Sequence, residues 1–392
     1  MTLDIHIPIV IWILLLLMFV VAIIITLSYR RRYSTVIRQL KKQGNDPELL
    51  PDVSILVYCN DDSIHLRSLL PKLLTQQYNG FYEVIICDDS SSDAAKNLYT
   101  ELSADHYNLF YTFVSHHTMH ISRKKLAITL GIKSATYDIV LNTSSSVVPP
   151  DDQWLTRMMR NFDTQTDIVI GLSQPLAGAE QEKGGLFRSY DYIATVSEFI
   201  SQAATGKPFR ADGNNLAYRK DSFYQSDDFA KTSNFNFGDD DLLISKMATS
   251  SNTKIEISDG SILTRYSDNY AYDYDEDKLI HNFTRKLLHS PAIRKTQLMW
   301  AMNWIFLLLF IGLIVSAVIC SGNIESMIVA FLMAFIVLLA LWIVSASNYK
   351  RIASAFSLPT LSFRLPFYAL SLPVNEFFYT MKNLKRKNIN YT

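Results

Sequence analysis

Two groups of carboxylates stand where apolar runs stop, and a third follows a glycine. Val53–Tyr58 ends in Cys59-Asn60-Asp61-Asp62, and Tyr82–Cys87 ends in Asp88-Asp89-Ser90-Ser91-Ser92-Asp93. Ser92 or Asp93 reads as a helix N-cap, because a side-chain oxygen satisfies the first free N–H groups and a carboxylate suits the positive helix end. Asp88 and Asp89 need another reason. Two carboxylates at the rim of a buried strand repel unless a donor or ligand balances them, and either can accept hydrogen bonds from a base or ribose. The third group is Gly238-Asp239-Asp240-Asp241-Leu242. A helix cap explains one of its acids. The mutual repulsion of three raises proton affinity, which suits a general base taking a proton from a hydroxyl.

Other chemistry-bearing residues are weaker. His116, His117 and His120 have no nearby Cys or matching carboxylate, so a surface loop suits them better than zinc. Cys59 and Cys87 end strands and read as buried thiols. Four tyrosines in Tyr266–Tyr274 fit a sugar-stacking channel and a surface connection equally.

These residues are positioned by alternating elements. Val53–Tyr58, Tyr82–Cys87, Asn108–Val114, Tyr137–Leu141 and Asp167–Gly171 read as strands, and Ile64–Gln77, Ala94–Leu102 and Ser122–Ala135 as helices. Strands separated by helical patterns predict an α/β fold with a mostly parallel sheet covered on both faces. Ligands then bind beyond the carboxyl ends of the strands, where the acids stand.

The chain has 392 residues, 49% of them hydrophobic, and 37 basic against 37 acidic residues. A net charge of zero argues against nucleic acid as a partner. Three cysteines exclude a disulfide scaffold. Ile9–Leu27 is long enough to span a bilayer, and Arg30-Arg31-Arg32 follows it. No basic residue precedes the run and no cleavage site follows, so an uncleaved anchor (residues 1–30) fits better than a signal peptide, with its basic flank in the cytoplasm. Residues 31–51 read as a cytoplasmic linker and 52–298 as the α/β domain. Trp300–Cys320 and Met327–Val344 form a second hydrophobic pair, followed by Lys350 and Arg351. Residues 299–346 therefore read as a hairpin that starts and ends in the cytoplasm. Residues 347–392 read as interfacial, with a fourth span over 356–379 as the rival, and a basic tail suited to anionic lipid.

The order and spacing of four stretches resemble family-2 glycosyltransferases of the GT-A fold. They are Val57–Asp61, Glu83–Asp93, Gly213-Asn214-Asn215-Leu216-Ala217-Tyr218-Arg219-Lys220 and Gly238–Leu242. The flanking apolar runs resemble the membrane-bound branch. The resemblance implies that Asp61, Asp88 and Asp89 meet the nucleotide, with Lys124 in the basic stretch Arg123–Lys125 beside the diphosphate. It implies that Asp239, Asp240 and Asp241 supply the base, and that Arg285 and His289 lie by the acceptor and diphosphate. It also implies a nucleotide sugar, UDP-type, as donor, and a lipid-linked or glycan acceptor. The setting it implies is the cytoplasmic face of a bacterial plasma (inner) membrane.

Two signatures depart from the family. Its Asp-x-Asp motif, which holds a divalent cation (Mg²⁺ or Mn²⁺), aligns with Ser144 and Ser146, so no metal ligand is expected there. In Arg285-Lys286-Leu287-Leu288-His289, Leu288 replaces an arginine of the membrane-surface signature. Either the enzyme works without a metal, or the chain is a catalytically degenerate subunit that binds or scaffolds in envelope glycan assembly.

Overall fold

The computed structural model describes residues 7–42, 44, 47, 49–89, 93–115, 122–226, 238, 240–288, 290–320, 324–361 and 363–385. Asp239, His289, the histidines 116, 117 and 120, and the link 321–323 lie outside the described residues. Contacts divide the chain into two compact units. One holds Met1–Ile37, Gly184–Glu198 and Pro291–Phe378; the other holds Arg38–Lys183, Phe199–Ser290 and Tyr379–Thr392.

Helix α1, Ile9–Leu40, has 32 residues. It continues through Arg30–Arg32, where a linker was expected from residue 31, because no glycine or proline occurs before Gly44 and Pro47. At ~1.5 Å per residue it is about 48 Å long, well over a hydrocarbon core of roughly 30 Å.

The α/β unit begins with a regular alternation. Strand β1 is Val53–Cys59, α2 Ser63–Leu74, β2 Tyr82–Asp88, α3 Ala94–Leu102, β3 Leu109–Phe113, α4 Arg123–Ser134 and β4 Ile139–Ser144. The first three strands and their helices match the sequence pattern closely. β4 runs three residues further than expected. Asn142, Thr143 and Ser144 pair with Leu56, Val57 and Tyr58 of the longer β1, so backbone hydrogen bonding holds polar residues in the sheet.

Then come β5 Val147–Val148, α5 Trp154–Met159, β6 Ile168–Ile170, β7 Ser173–Pro175 and α6 Gly185–Ala203. They are followed by β8 Leu216–Arg219, α7 Lys220–Gln225, α8 Asp241–Met247, β9 Thr253–Ile255, β10 Leu263–Arg265 and α9 Tyr270–Leu287. The main sheet has the order β3-β2-β1-β4-β8-β6-β9. It is parallel except at β8, which runs antiparallel to β4 and β6. A second sheet orders β5-β10-β7. Val53, Ile55 and Val57 of β1 pack with Leu66, Leu69 and Leu73 of α2 and Trp154 of α5 in the core.

Helices α10 (Pro291–Cys320), α11 (Ile324–Ala355) and α12 (Leu365–Lys385) complete the chain. Among the described residues, α1 and the first two of these are long and apolar enough to cross a membrane. Ile11, Leu15, Met18, Ala22 and Ile25 form one stripe of α1, packed with Phe306, Leu313 and Ala317 of α10 and Ala330 and Ala334 of α11. Small residues there let the backbones approach closely. Residues 356–379 were expected to lie at the interface. There, α12 leaves Phe367, Val374, Phe377 and Phe378 exposed and carries Pro373 inside the helix.

Candidate active site

β1 lies between β2 and β4, so the carboxyl ends of these strands open side by side. Asp89 directly follows β2. Its Oδ1 accepts from Arg123 Nε at 2.7 Å, and its Oδ2 accepts from the Tyr58 hydroxyl at 2.8 Å. Arg123 also donates to the Asp89 carbonyl. The arginine opens α4, whose start is capped by Ser122 Oγ accepting from Lys125 N at 3.4 Å. The Asp89 and Arg123 side chains are 10% and 23% exposed, so the pair is sheltered but reachable. Asp88 is buried and accepts from the Tyr111 hydroxyl at 2.6 Å. Burial, and then this bond to Asp88, raise the phenol's pKa. Tyr111 stacks between Tyr99 and Phe113, at 5.5 and 6.1 Å. Lys124 Nζ stands 5.5 Å from the Tyr58 ring centroid, within cation–π range.

At the end of β1, Asp61 is exposed and has φ +50°, a left-handed backbone that costs energy in a non-glycine residue. Its neighbour Asp62 holds the local structure. Asp62 Oδ1 meets His65 Nδ1 at 2.7 Å, and Oδ2 accepts from Ser145 Oγ at 2.7 Å. Ser145 N in turn donates to the Tyr58 carbonyl at 2.9 Å.

The turn after β4 is a network of neutral groups. Ser144 Oγ and Ser146 Oγ lie 3.0 Å apart, and Ser144 Oγ donates to Asn214 Oδ1 at 2.9 Å. Asn214 N donates to Asp212 Oδ1 at 3.0 Å. Asp212 Oδ2 accepts from both Ser173 N and Ser173 Oγ at 2.6 Å. Hard divalent cations prefer several oxygen ligands with carboxylates among them. Here the two hydroxyls engage each other and an amide, and Asp212 is engaged by Ser173 and Asn214. Among the described residues no group of three or more His, Cys, Asp or Glu could hold a metal ion. These residues do not fit a divalent cation.

Gly213 links this turn to α8. Its N–H donates to Asp240 Oδ2 at 3.3 Å, and a Cβ at Gly213 would lie 3.1 Å from Asp240 Cβ and Oδ2. Asp240 is the N-cap of α8 and also accepts from Asp241 N at 2.6 Å. Asp241 faces the other way. Both its oxygens accept from Arg210 Nε, at 3.0 and 2.9 Å, and Thr284 Oγ1 donates to Oδ2 at 2.7 Å. The Asp241 and Arg210 side chains are 0% and 2% exposed.

α9 brings Lys278, His281, Thr284 and Arg285 onto one face by helical spacing. Arg210 Nη2 reaches the His281 carbonyl at 3.4 Å, and Arg265 pairs with Asp277 at 2.6 Å. Burial first, and then Arg210, Lys278, Arg285 and Arg265, press the His281 pKa well below its usual value. Burial pushes the Cys59 and Cys87 thiols up to about 12, so neither is a nucleophile at neutral pH.

Sequence reasoning singled out the carboxylates and passed over their partners. Tyr111, Asp212 and Arg210 carried no signal alone, because their roles depend on partners brought to them by folding.

Residues 54–224 match the family model for glycosyl transferase family 2. Among solved structures, the mannosyltransferase PcManGT from Pyrobaculum calidifontis, in complex with GDP-Man and Mn²⁺, is similar over 94% of this chain and 99% of its own. The two share 17% identity with a TM-score of 0.55. Glucosyl-3-phosphoglycerate synthase from Mycobacterium tuberculosis aligns at 9% identity over 64% of this chain and 88% of its own, with a TM-score of 0.41. S. aureus TarS aligns at 13% identity over 86% and 55%, also with a TM-score of 0.41; these two lower scores carry no weight. None of the curated proteins matches. The fold is that of GT-A glycosyltransferases, and the family match supports a family-2 glycosyltransferase.

Proposed function

We propose that this protein is a membrane-bound glycosyltransferase. It transfers a sugar from a nucleotide donor, UDP-type, to a lipid-linked or polysaccharide acceptor at the cytoplasmic face of a bacterial plasma membrane. The observation that carries this reading is one continuous set of contacts. It runs from Asp89 through Tyr58 to the end of β4, then from Ser144 through Asn214 and Gly213 to Asp240. A nucleotide fits the β2 end, where Asp89 offers an acceptor beside Arg123 while the buried Asp88, first expected to meet the nucleotide too, holds Tyr111, with Asp61 and Lys124 at the rim. The base is Asp240: its carboxylate is half-buried beside the glycine loop, whereas Asp241 is closed by Arg210. Asp240 takes the proton from an acceptor hydroxyl, whose oxygen bonds to the anomeric carbon as the bond to the diphosphate breaks. Ser144 and Ser146 stand where the family has its aspartates, so charge on the leaving diphosphate falls to cationic side chains such as Lys124 and Arg285.

Purified full-length protein, assayed for release of nucleotide from UDP-sugars with Mn²⁺ or with EDTA, tests the reading. Turnover that persists in EDTA supports it. Strong Mn²⁺ dependence would remove the serine alignment, and absence of both binding and turnover would remove the enzyme. The membrane arrangement has its own test. A reporter after Leu40 should read cytoplasmic and one at Asn323 external; a cytoplasmic signal at Asn323 breaks the hairpin.

A second reading has its own support in the neutral Ser144–Ser146–Asn214 network and in Leu288. It is a non-catalytic subunit that binds or scaffolds in envelope glycan assembly. Nucleotide binding without turnover in the native chain, with turnover gained after Ser144→Asp and Ser146→Asp together, would favour it.

A further inference from the structure

Helix α9 is gripped from two sides. Thr284 Oγ1 donates to Asp241 Oδ2 at 2.7 Å and the His281 carbonyl accepts from Arg210, so one side of α9 faces α8. Asp275, Leu279 and Asn282 recur at i, i+4 and i+7 and share another side. At 3.6 residues per turn, Asn282 and Thr284 point about 160° apart. The second side meets the last turns of α12. The Tyr379 hydroxyl donates to Asp275 Oδ1, and Lys382 Nζ lies 2.9 Å from Asp275 Oδ2. Asn282 Nδ2 donates to Thr380 Oγ1 at 2.9 Å. Asn383 Nδ2 donates both to the Leu279 carbonyl at 3.0 Å and to Asn282 Oδ1 at 3.1 Å.

These bonds differ in weight. The Lys382 and Asp275 side chains are 42% and 44% exposed, and an ion pair this open contributes little. Asn282 and Asn383 are each only 5% exposed. A buried amide without its partner is costly, so a slip of α12 along α9 is penalised at both asparagines. Buried asparagines fix register between helices in the same way in coiled coils. The large apolar side chains of this stretch, Phe377, Phe378, Met381 and Leu384, are exposed, which leaves the attachment to Tyr379 and the polar groups. We infer that Asn282 and Asn383 are positioning residues for the base. By fixing the register of α12 on α9 they hold Thr284 against Asp241, and so set the start of α8, where Asp240 is the cap. They act through α9 rather than on a reacting atom. This inference rests on the transferase reading above, with Asp240 as its base, and adds the C-terminal helix to what holds that base in place.

The test uses the full chain in nanodiscs and three measurements: nucleotide release from UDP-sugars, calorimetric titration with UDP, and hydrogen exchange of the α8 amides. In Asn383→Leu, similar in size to the native residue, kcat should fall at least tenfold. Affinity and stoichiometry for UDP should stay within twofold, because the nucleotide end of the site is untouched, and the α8 amides should exchange several-fold faster. Asn282→Leu together with Asn383→Leu replaces both partners by apolar groups, so melting should return towards the native value. Its kcat should stay low, because a leucine pair lacks the directed bonds that set the register. This double variant carries the test should Asn383→Leu fail to fold. Three results overturn the inference: kcat and α8 exchange both unchanged in Asn383→Leu, a loss of rate matched by an equal loss of UDP stoichiometry, or a kcat that recovers with melting in the double variant. The exchange measurement separates the two readings. A native chain without turnover removes the transferase, and faster α8 exchange in Asn383→Leu then still supports the brace. Turnover in the native chain with α8 exchange unchanged in the variant removes the brace and keeps the transferase.

Discussion

Two aspartate–arginine pairs in the α/β unit look alike on paper and differ in what they can do. Asp89–Arg123, at the end of β2, keeps part of both side chains in reach of solvent and shares one carboxylate oxygen with Tyr58. Asp241–Arg210, under α8, has both carboxylate oxygens on one guanidinium and a third donor in Thr284, with no outlet to solvent. A charge that must meet a ligand has to remain accessible. A charge fully enclosed can only hold elements together, and losing one partner leaves the other buried and uncompensated.

The largest effect should come from the enclosed pair. Asp241→Ala should cost about 3–5 kcal/mol of folding stability by stranding Arg210. Denaturant unfolding of the purified chain measures it, and an unchanged midpoint would erase the distinction between the pairs. Asp89→Ala should instead weaken binding of a uridine nucleotide by roughly 1.5–3 kcal/mol, the value of a hydrogen bond to a charged group, with a smaller shift in melting. Calorimetric titration reads it; unchanged affinity with the fold intact removes Asp89 from the site.

The next test adds charge where the structure has none. Ser144→Asp with Ser146→Asp should make nucleotide binding depend on Mn²⁺, whereas the native chain should bind equally with EDTA. The effect should be smaller than that of Asp89→Ala, because Asn214 offers only an amide to complete the set. Equal metal response in both proteins would show that another carboxylate holds the cation.

The smallest effect tests the surroundings of Arg210. His281 is held neutral, its folded pKa lying below the unfolded value of about 6.5. As pH falls through 6.5 the unfolded chain takes up a proton that the folded chain refuses, so stability drops on the acid side. His281→Gln should flatten the fall in melting temperature between about pH 7 and pH 5; an unchanged slope places the titration elsewhere.

The contrast also marks how far the sequence could be read. The β1–β3 alternation was legible because each strand is a short apolar run bounded by turn residues, and the acids at its rim followed from that placement. The roles within Asp239–Asp241 were not. What separates Asp240 from Asp241 is Arg210, 31 positions upstream of Asp241 and brought to it only by folding. The extra length of β4 was hidden for a related reason. Asn142–Ser144 look like loop residues until β1 supplies the pairing and Tyr218 the hydrogen bond to Asn142 at 3.1 Å. The antiparallel β8 lacks any local marker of its direction.

Gly213 and Asn214 are adjacent, yet one touches Asp240 and the other Ser144. The two halves of the chemistry therefore hang from one two-residue unit. Pushing on the serine turn with a larger side chain tilts that unit and drags the carboxylate with it. Conversely, one methyl at Gly213 acts as a wedge under Asp240 and is felt at the turn. A charge introduced at 144 or 146 is therefore felt not only at the turn but, through residues 213–214, at Asp240 as well.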